Sequence, residues 1–196
     1  MTRKACVVVA SEMTLRTFLV AQLVAMQARY DITVVVNTAN PALLDELGVI
    51  ARLEALPIQR AIAPLSDLRC LARLIRLMRR ERFDLVHSMT PKAGLLAMVA
   101  AWIARVPVRI HTFTGQVWAT RTGIARAALK WIDTAMARAA TFTLADSQSQ
   151  RSFLASEGVV SASKIAVLAN GSVSGVDATR FRPDPVRRGI VRESLG

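Results

Sequence analysis

A chain of 196 residues, 53% of them hydrophobic, is long enough for one α/β domain with a substantial core and too short for a second full domain beside it. The longest uncharged apolar run, Ala93 to Ala104, falls well short of the ~20 residues a membrane-spanning helix needs, and Glu12 and Arg16 interrupt the first apolar run before it reaches signal-peptide length. The net charge of +12 points to an anionic partner, although only four of the 26 basic residues are lysine and such an arginine excess also follows from codon usage.

Ala5 to Ala10 reads as a first strand, Leu15 to Ala28 as a helix with apolar positions spaced by three and four, and Ile32 to Val36 as a second strand. The turn between them, Ser11 to Thr14, has no glycine, so Thr14 is expected to cap the helix rather than cradle a phosphate. Pro41 after Asn40 opens a short helix ending near Gly48, and Ile58 to Ile62, between Pro57 and Pro64, is the expected third strand.

Ser66 or Asp67 then caps a helix running to Arg82, with Leu68, Leu71, Ile75 and Met78 as its apolar face. Beside that face Arg69, Arg73, Arg76 and Arg80 form a basic stripe. Like charges at this spacing repel by a few tenths of a kcal/mol per pair, so the stripe gains from an anionic surface; a solvated face is the alternative. Against a bilayer, ~1 kcal/mol per basic residue makes it worth about 4 kcal/mol, enough for reversible peripheral binding.

Phe83 to Gly123 is the organising βαβ unit. Leu85 to His87 is a short strand stopping at Ser88, Pro91 opens a helix that stays apolar from Ala93 to Ala104, and Pro107 ends it before the β-branched and aromatic run Val108 to Phe113. A right-handed crossover places both strand ends at one sheet edge, where α/β folds bind ligands. Two loops are therefore candidates: His87 to Lys92, and Thr112, Thr114, Gly115, Gln116 with Trp118 as a stacking face.

Ile124 to Ala140 follows as a long helix, Thr141 to Ala145 as a strand, and Asp146 or Ser147 caps a helix ending at Gly158. Lys164 to Leu168 is the last strand, and the composition beyond Ala169 is that of a linker. The predicted fold class is α/β: a doubly wound, mostly parallel Rossmann-like sheet with helices on both faces.

No Walker loop, GxGxxG, GxSxG or zinc-type cluster occurs, and Cys6 and Cys70 have neither CxxC nor metal-ligand spacing, so buried free thiols and a cytosolic location are expected. Of the two histidines, His87 at a strand end is the better ligand candidate and His111 inside a strand the more structural one. The three tryptophans and single tyrosine form no stacking platform among basic residues, which argues against nucleic acid.

The segments DLVHSMTPKAG, VPVRIHTFTGQVW, LADSQSQ and KIAVLANGSVSGVDATRFRP, in this order, resemble the N-terminal half of family 4 retaining glycosyltransferases of the GT-B fold. The likeness is greatest to bacterial enzymes of capsule, exopolysaccharide and O-antigen synthesis. It implies transfer of a sugar from a nucleotide-sugar to a lipid-linked or saccharide acceptor, without a metal or other cofactor. It also implies that residues 1–169 form the acceptor-side domain and 170–196 a linker toward a donor-binding domain, which a longer product or a separate chain supplies. His87, Thr90 and Lys92 are then expected on the acceptor side, and Thr14, Thr112, Thr114, Gly115 and Asn170 toward the donor. The chain departs from the family where its first loop lacks adjacent glycines and where Thr114 replaces a histidine. The family's paired glutamates belong to the other half, and the similar spacing of Glu46 and Glu54 is coincidental. The expected location is cytoplasmic, since nothing argues for secretion, with the arginine stripe making the chain peripheral on the inner face of the cell membrane. The competing expectation is a non-catalytic module that binds anions or membrane surfaces.

Overall fold

The computed structural model describes residues 2–59, 63–176, 178–179 and 181–196. Seven parallel strands form one sheet in the order β3-β2-β1-β4-β5-β6-β7. They are β1 (Arg3–Val8), β2 (Tyr30–Val36), β3 (Arg52–Ala55), β4 (Leu85–Met89), β5 (Val108–Phe113), β6 (Phe142–Ala145) and β7 (Ile165–Val167). The strand order reverses between β1 and β4, the place at which open α/β sheets leave a crevice beyond their carboxyl ends.

Alternate residues of β1 enter two separate cores, which is why its sequence is apolar without alternation. Val7 and Val9 pack with Leu15, Leu19, Leu23, Val34 and Leu43 on one face. Cys6 and Val8 pack on the other with Leu74, Met78, Ala97 and Ala101. Cys6 and Cys70 are free and buried, as expected, and desolvation pushes the Cys6 thiol pKa well up.

The first helical stretch comprises α1 (Glu12–Thr14), a π-helical turn (Leu15–Leu19) and α2 (Val20–Met26). Ser11, not Thr14, caps it: the Ser11 hydroxyl accepts from Thr14 N, and Thr14 lies inside the first turn with its own hydroxyl 3.0 Å from that of Ser11. After α3 (Leu43–Glu46) comes the main departure from expectation. The third strand is Arg52–Ala55, paired with Thr33 to Val36. Ile58, the first residue of the expected stretch, is buried in irregular chain, as is Leu56 just before it, and 60–62 lie outside the described residues. An edge strand half-open to solvent needs no apolar alternation, so its RLEA sequence is a weak signal.

α4 (Pro64–Glu81) starts one turn earlier than the expected caps, with Ala63 at its N-cap and Pro64 in its first turn; Asp67 Oδ2 accepts from Ala63 N. Its buried face is Cys70, Leu74, Leu77 and Met78, which leaves Leu68 outside. α5 (Pro91–Ile103) packs between α4 and α6 (Gly123–Ala139), so it is apolar on nearly all sides. Gly94 lets it approach the sheet closely: a Cβ there would lie 2.4 Å from His111 Cε1. α7 (Gln148–Ser156) follows β6. Within 170–196, the stretch read as a linker, α8 (Pro185–Leu195) is helical because Asp184 caps it and Pro185 suits its first turn; none of its residues is buried.

Candidate functional site at the carboxyl edge of the sheet

Two cross-strand pairs tie β4 to β5. His87 Nε2 lies 2.8 Å from Thr112 Oγ1 on one sheet face, and Ser88 Oγ lies 2.9 Å from His111 Nδ1 on the other. Burial pushes the His87 pKa down to about 4. Burial, reinforced by the nearby His87, takes His111 to about 3, although a hydrogen bond with the Ser88 backbone opposes the shift. Both rings are therefore neutral near pH 7. They can position hydroxyls but cannot supply positive charge.

Beyond β4, Thr90 sits at the N-cap of α5 with φ +76°, ψ 143°, a conformation rare for any residue but glycine. Its Oγ1 is buried without a hydrogen-bond partner. Lys92 in the first turn of α5 points to α4, where its Nζ lies 2.6 Å from Asp67 Oδ1. The ammonium expected to face an acceptor is thus already neutralised by a carboxylate.

Beyond β5, Thr114 and Gly115 are exposed, Gly115 at φ +152°. Gln116 Nε2 is buried and unpartnered. Trp118 is not the stacking face expected from the sequence. It is buried, stacks on Phe153 at 5.3 Å and donates from Nε1 to Asp133 Oδ2 at 2.7 Å. Arg126 and Lys130 lie over its ring, and both pair with Glu157. That network anchors the far end of the loop that carries Gly115.

Beyond β6, Asp146 donates its backbone N–H to Gln150 Oε1 and keeps Oδ1 buried without a partner; desolvation raises its carboxyl pKa. Ser147 caps α7. Beyond β7, Asn170 is exposed, and Ser172 N donates to Asp146 O at 2.6 Å. Gly171, at φ +95°, makes this approach possible, since a Cβ there would stand 2.5 Å from the same oxygen.

Thr14, His87, Thr90, Thr112, Thr114, Gly115 and Asn170 therefore all lie at or just beyond the carboxyl ends of β1, β4, β5 and β7, and His87 and Thr112 touch. Asp146 and Gln150 join them at the end of β6. The sequence marks Asp146 only as a helix cap; its signal for the site is its position directly after an apolar strand.

The arginine stripe lies away from this edge, along the outer side of α4. Arg69, Arg73 and Arg76 are exposed and form no ion pair among the described residues, whereas Arg80 pairs with Glu81 at 2.8 Å and with Glu54 at 3.6 Å. Leu65 and Leu68 are 75% and 64% exposed on the same helix. No helix among the described residues is long and apolar enough to cross a membrane.

Residues 14–171 match the family described as the glycosyl transferase 4-like domain. Over 129 residues the chain is 34% identical to the capsular polysaccharide biosynthesis glycosyltransferase CapM of Staphylococcus aureus, covering 66% of this chain and 34% of that protein. Over 169 residues it is 28% identical to the UDP-Gal:alpha-D-GlcNAc-diphosphoundecaprenol alpha-1,3-galactosyltransferase of Escherichia coli, covering 85% of this chain and 42% of that protein. The crystal structure of Anabaena HepE in complex with UDP and glucose superposes with a TM-score of 0.69 at 18% identity, over 99% of this chain and 50% of that one. A UDP-N-acetylglucosamine 2-epimerase does so with a TM-score of 0.69 at 15% identity, over 97% of this chain and 55% of that one. At these identities the structural likeness establishes the fold, and the chain spans half or less of the length of the two sequence relatives.

Proposed function

Because the chain belongs to the glycosyl transferase 4-like domain family, we propose that it forms the acceptor side of a sugar-transfer cleft. A nucleotide-diphosphate sugar is the donor, and a lipid-linked or saccharide hydroxyl is the acceptor, in the synthesis of a cell-surface polysaccharide. The observation that carries this reading is the position of Thr90, Thr112, Thr114 and Gly115 at the carboxyl ends of β4 and β5, next to the switch point of the sheet, in a chain whose two named relatives are a capsular polysaccharide glycosyltransferase and a galactosyltransferase acting on a diphosphoundecaprenol-linked sugar. Nothing about those relatives favours a non-catalytic module.

In this reading the bond from the sugar's anomeric carbon to the diphosphate oxygen breaks, and a bond from that carbon to the acceptor oxygen forms on the same face. The acceptor proton leaves with the departing diphosphate. The chemistry runs without a separate cofactor. Negative charge builds on the diphosphate and needs cationic or dipolar partners. His87 and His111 are held neutral and Lys92 faces Asp67, so the donor-binding half is assigned most of that charge. This chain contributes hydroxyls and backbone groups: Thr90 on the acceptor side, and Thr14, Thr112, Thr114, Gly115 and Asn170 toward the donor, with His87 holding the Thr112 hydroxyl. Arg69, Arg73 and Arg76, with the exposed Leu65 and Leu68 on the preceding turn of α4, hold the domain against the inner membrane face.

The test joins the chain to the donor-binding half of the E. coli galactosyltransferase and supplies UDP-galactose with N-acetylglucosaminyl-diphosphoundecaprenol. The expected product keeps the anomeric configuration of the donor. Thr114→Val should lower both transfer and donor hydrolysis, and Thr90→Val transfer alone. A product of inverted configuration would contradict the reading.

A further inference from the structure

Among the described residues, the buried side-chain polar atoms without a hydrogen-bond partner are Thr90 Oγ1, Gln116 Nε2 and Asp146 Oδ1. All three lie just past the carboxyl ends of adjacent strands, β4, β5 and β6. Buried polar groups are ordinarily satisfied, and an orphan costs the full desolvation of that group. Three orphans along one edge, where the acceptor cleft is placed, indicate groups kept for a ligand.

Two of them are chemically complementary. The Gln116 amide nitrogen can only donate, and an ionised Asp146 oxygen can only accept. The two residues meet Gln150 through their other polar atoms: Gln150 Oε1 accepts from Asp146 N at 2.7 Å, and Gln150 Nε2 reaches Gln116 Oε1 only at 3.5 Å, the outer limit of a hydrogen bond. Asp146 also lines a cavity of about 40 Å³ together with Gln22, Thr112, Leu144, Leu168 and Ser172. That volume exceeds the ~10–15 Å³ one water needs and is far below a sugar ring. Its wall is set by the Ser172 N to Asp146 O bond, which Gly171 alone permits, so the recess is a built feature of the β6 and β7 loops. Asp146 forms no ion pair among the described residues, and burial raises its pKa, as fits a carboxylate that meets a neutral partner.

We propose that Gln116 and Asp146 form a subsite for one hydroxyl or hydroxymethyl group of a saccharide, which accepts from Gln116 Nε2 and donates to Asp146 Oδ1 while the ring stays outside. The subsite rests on the acceptor-side reading above and deepens it: Asp146 becomes a specificity-determining residue that selects sugars by a single hydroxyl position.

The experiment titrates the ¹⁵N-labelled 196-residue chain with methyl glycosides of galactose, glucose and N-acetylglucosamine and with their monodeoxy analogues, following backbone amides. One glycoside should shift the amides of Asp146, Ser147 and Gly171, and removal of one hydroxyl should weaken its binding about tenfold or more, as for a hydrogen bond to a charged group. In Asp146→Ala the gap between that analogue and its parent glycoside should shrink severalfold, with Asp146→Asn, which keeps the shape, intermediate; Gln116→Leu should act in the same direction, and the two should bind alike in the double variant. The urea midpoint of each variant shows that it is folded. Equal binding of every deoxy analogue by the unaltered chain overturns the proposal, as does the absence of shifts at these amides up to the solubility limit. Neither result touches the transferase reading, which is scored by product formation in the joined protein; loss of that product with an intact Asp146 dependence would sink the reading and leave the subsite standing.

Discussion

His87 Nε2 and Thr112 Oγ1 meet at 2.8 Å inside the sheet, so the residue expected to read an acceptor is occupied in orienting a hydroxyl expected to face the donor. The ring is neutral because it is buried, not because a cation opposes it. The pair behaves as a positioning device whose strength depends on pH.

Proton counting gives the direction. The unfolded chain binds a proton at His87 near the ordinary value of 6.5, whereas the folded chain refuses it until about 4. Stability is therefore complete above pH 6.5 and falls as pH drops through that window, by at most roughly 3 kcal/mol for His87. His111, held at about 3, adds in the same direction. Urea midpoints from pH 7 to pH 4.5 should decline, and less so in His87→Gln. A flat profile in the unaltered chain would show that these rings are solvated.

Gly94→Ala should destabilise, although alanine in a helix interior is ordinarily better than glycine by ~1 kcal/mol. The new Cβ would stand 2.4 Å from His111 Cε1 and 2.6 Å from Met136 Sδ, between a helix and the sheet beneath it. Overpacking of this kind costs about 1–3 kcal/mol, measurable by urea unfolding. A variant at least as stable as the parent would mean that α5 rides higher on the sheet.

Trp118→Phe keeps the stack on Phe153 but removes the Nε1 donor to the buried Asp133. An unpaired buried acceptor costs about 1–3 kcal/mol. The loss should be smaller at acid pH, since desolvation already raises the Asp133 pKa and its protonated form tolerates burial better. Equal losses at pH 7 and pH 4 would contradict the assignment.

Replacing Arg69, Arg73 and Arg76 together by glutamine should release the chain from anionic vesicles and flatten the salt dependence of binding. Arg80→Gln alone should matter less, because that guanidinium is already committed to Glu81 and Glu54. Co-sedimentation of the triple variant at the parent's level would make the stripe a solvated face.

The βαβ core from Leu85 to Phe113 was legible because it is buried on both sides and its punctuation is proline. Arg52–Ala55 was not, since an edge strand owes its place to pairing with β2 rather than to its own pattern. Lys92 could be placed on the first turn of α5 from sequence, but its direction depends on Asp67, 25 residues earlier on a different helix. The same holds for Trp118, whose partner Asp133 lies 15 residues later, within α6. Placement along an element is a local property, whereas the direction of a polar side chain is decided by whichever partner the packing brings near.

The central claim is that this domain shapes one side of a transfer cleft and that the donor is held by another half. Release of nucleotide diphosphate from labelled nucleotide-sugars, measured for the 196-residue chain alone and for the chain joined to a donor-binding half, tests it most directly. The account predicts no turnover above a buffer control for the chain alone, and turnover in the joined protein that falls with Thr114→Val; steady turnover by the chain alone, or a joined protein indifferent to Thr114→Val, would contradict it.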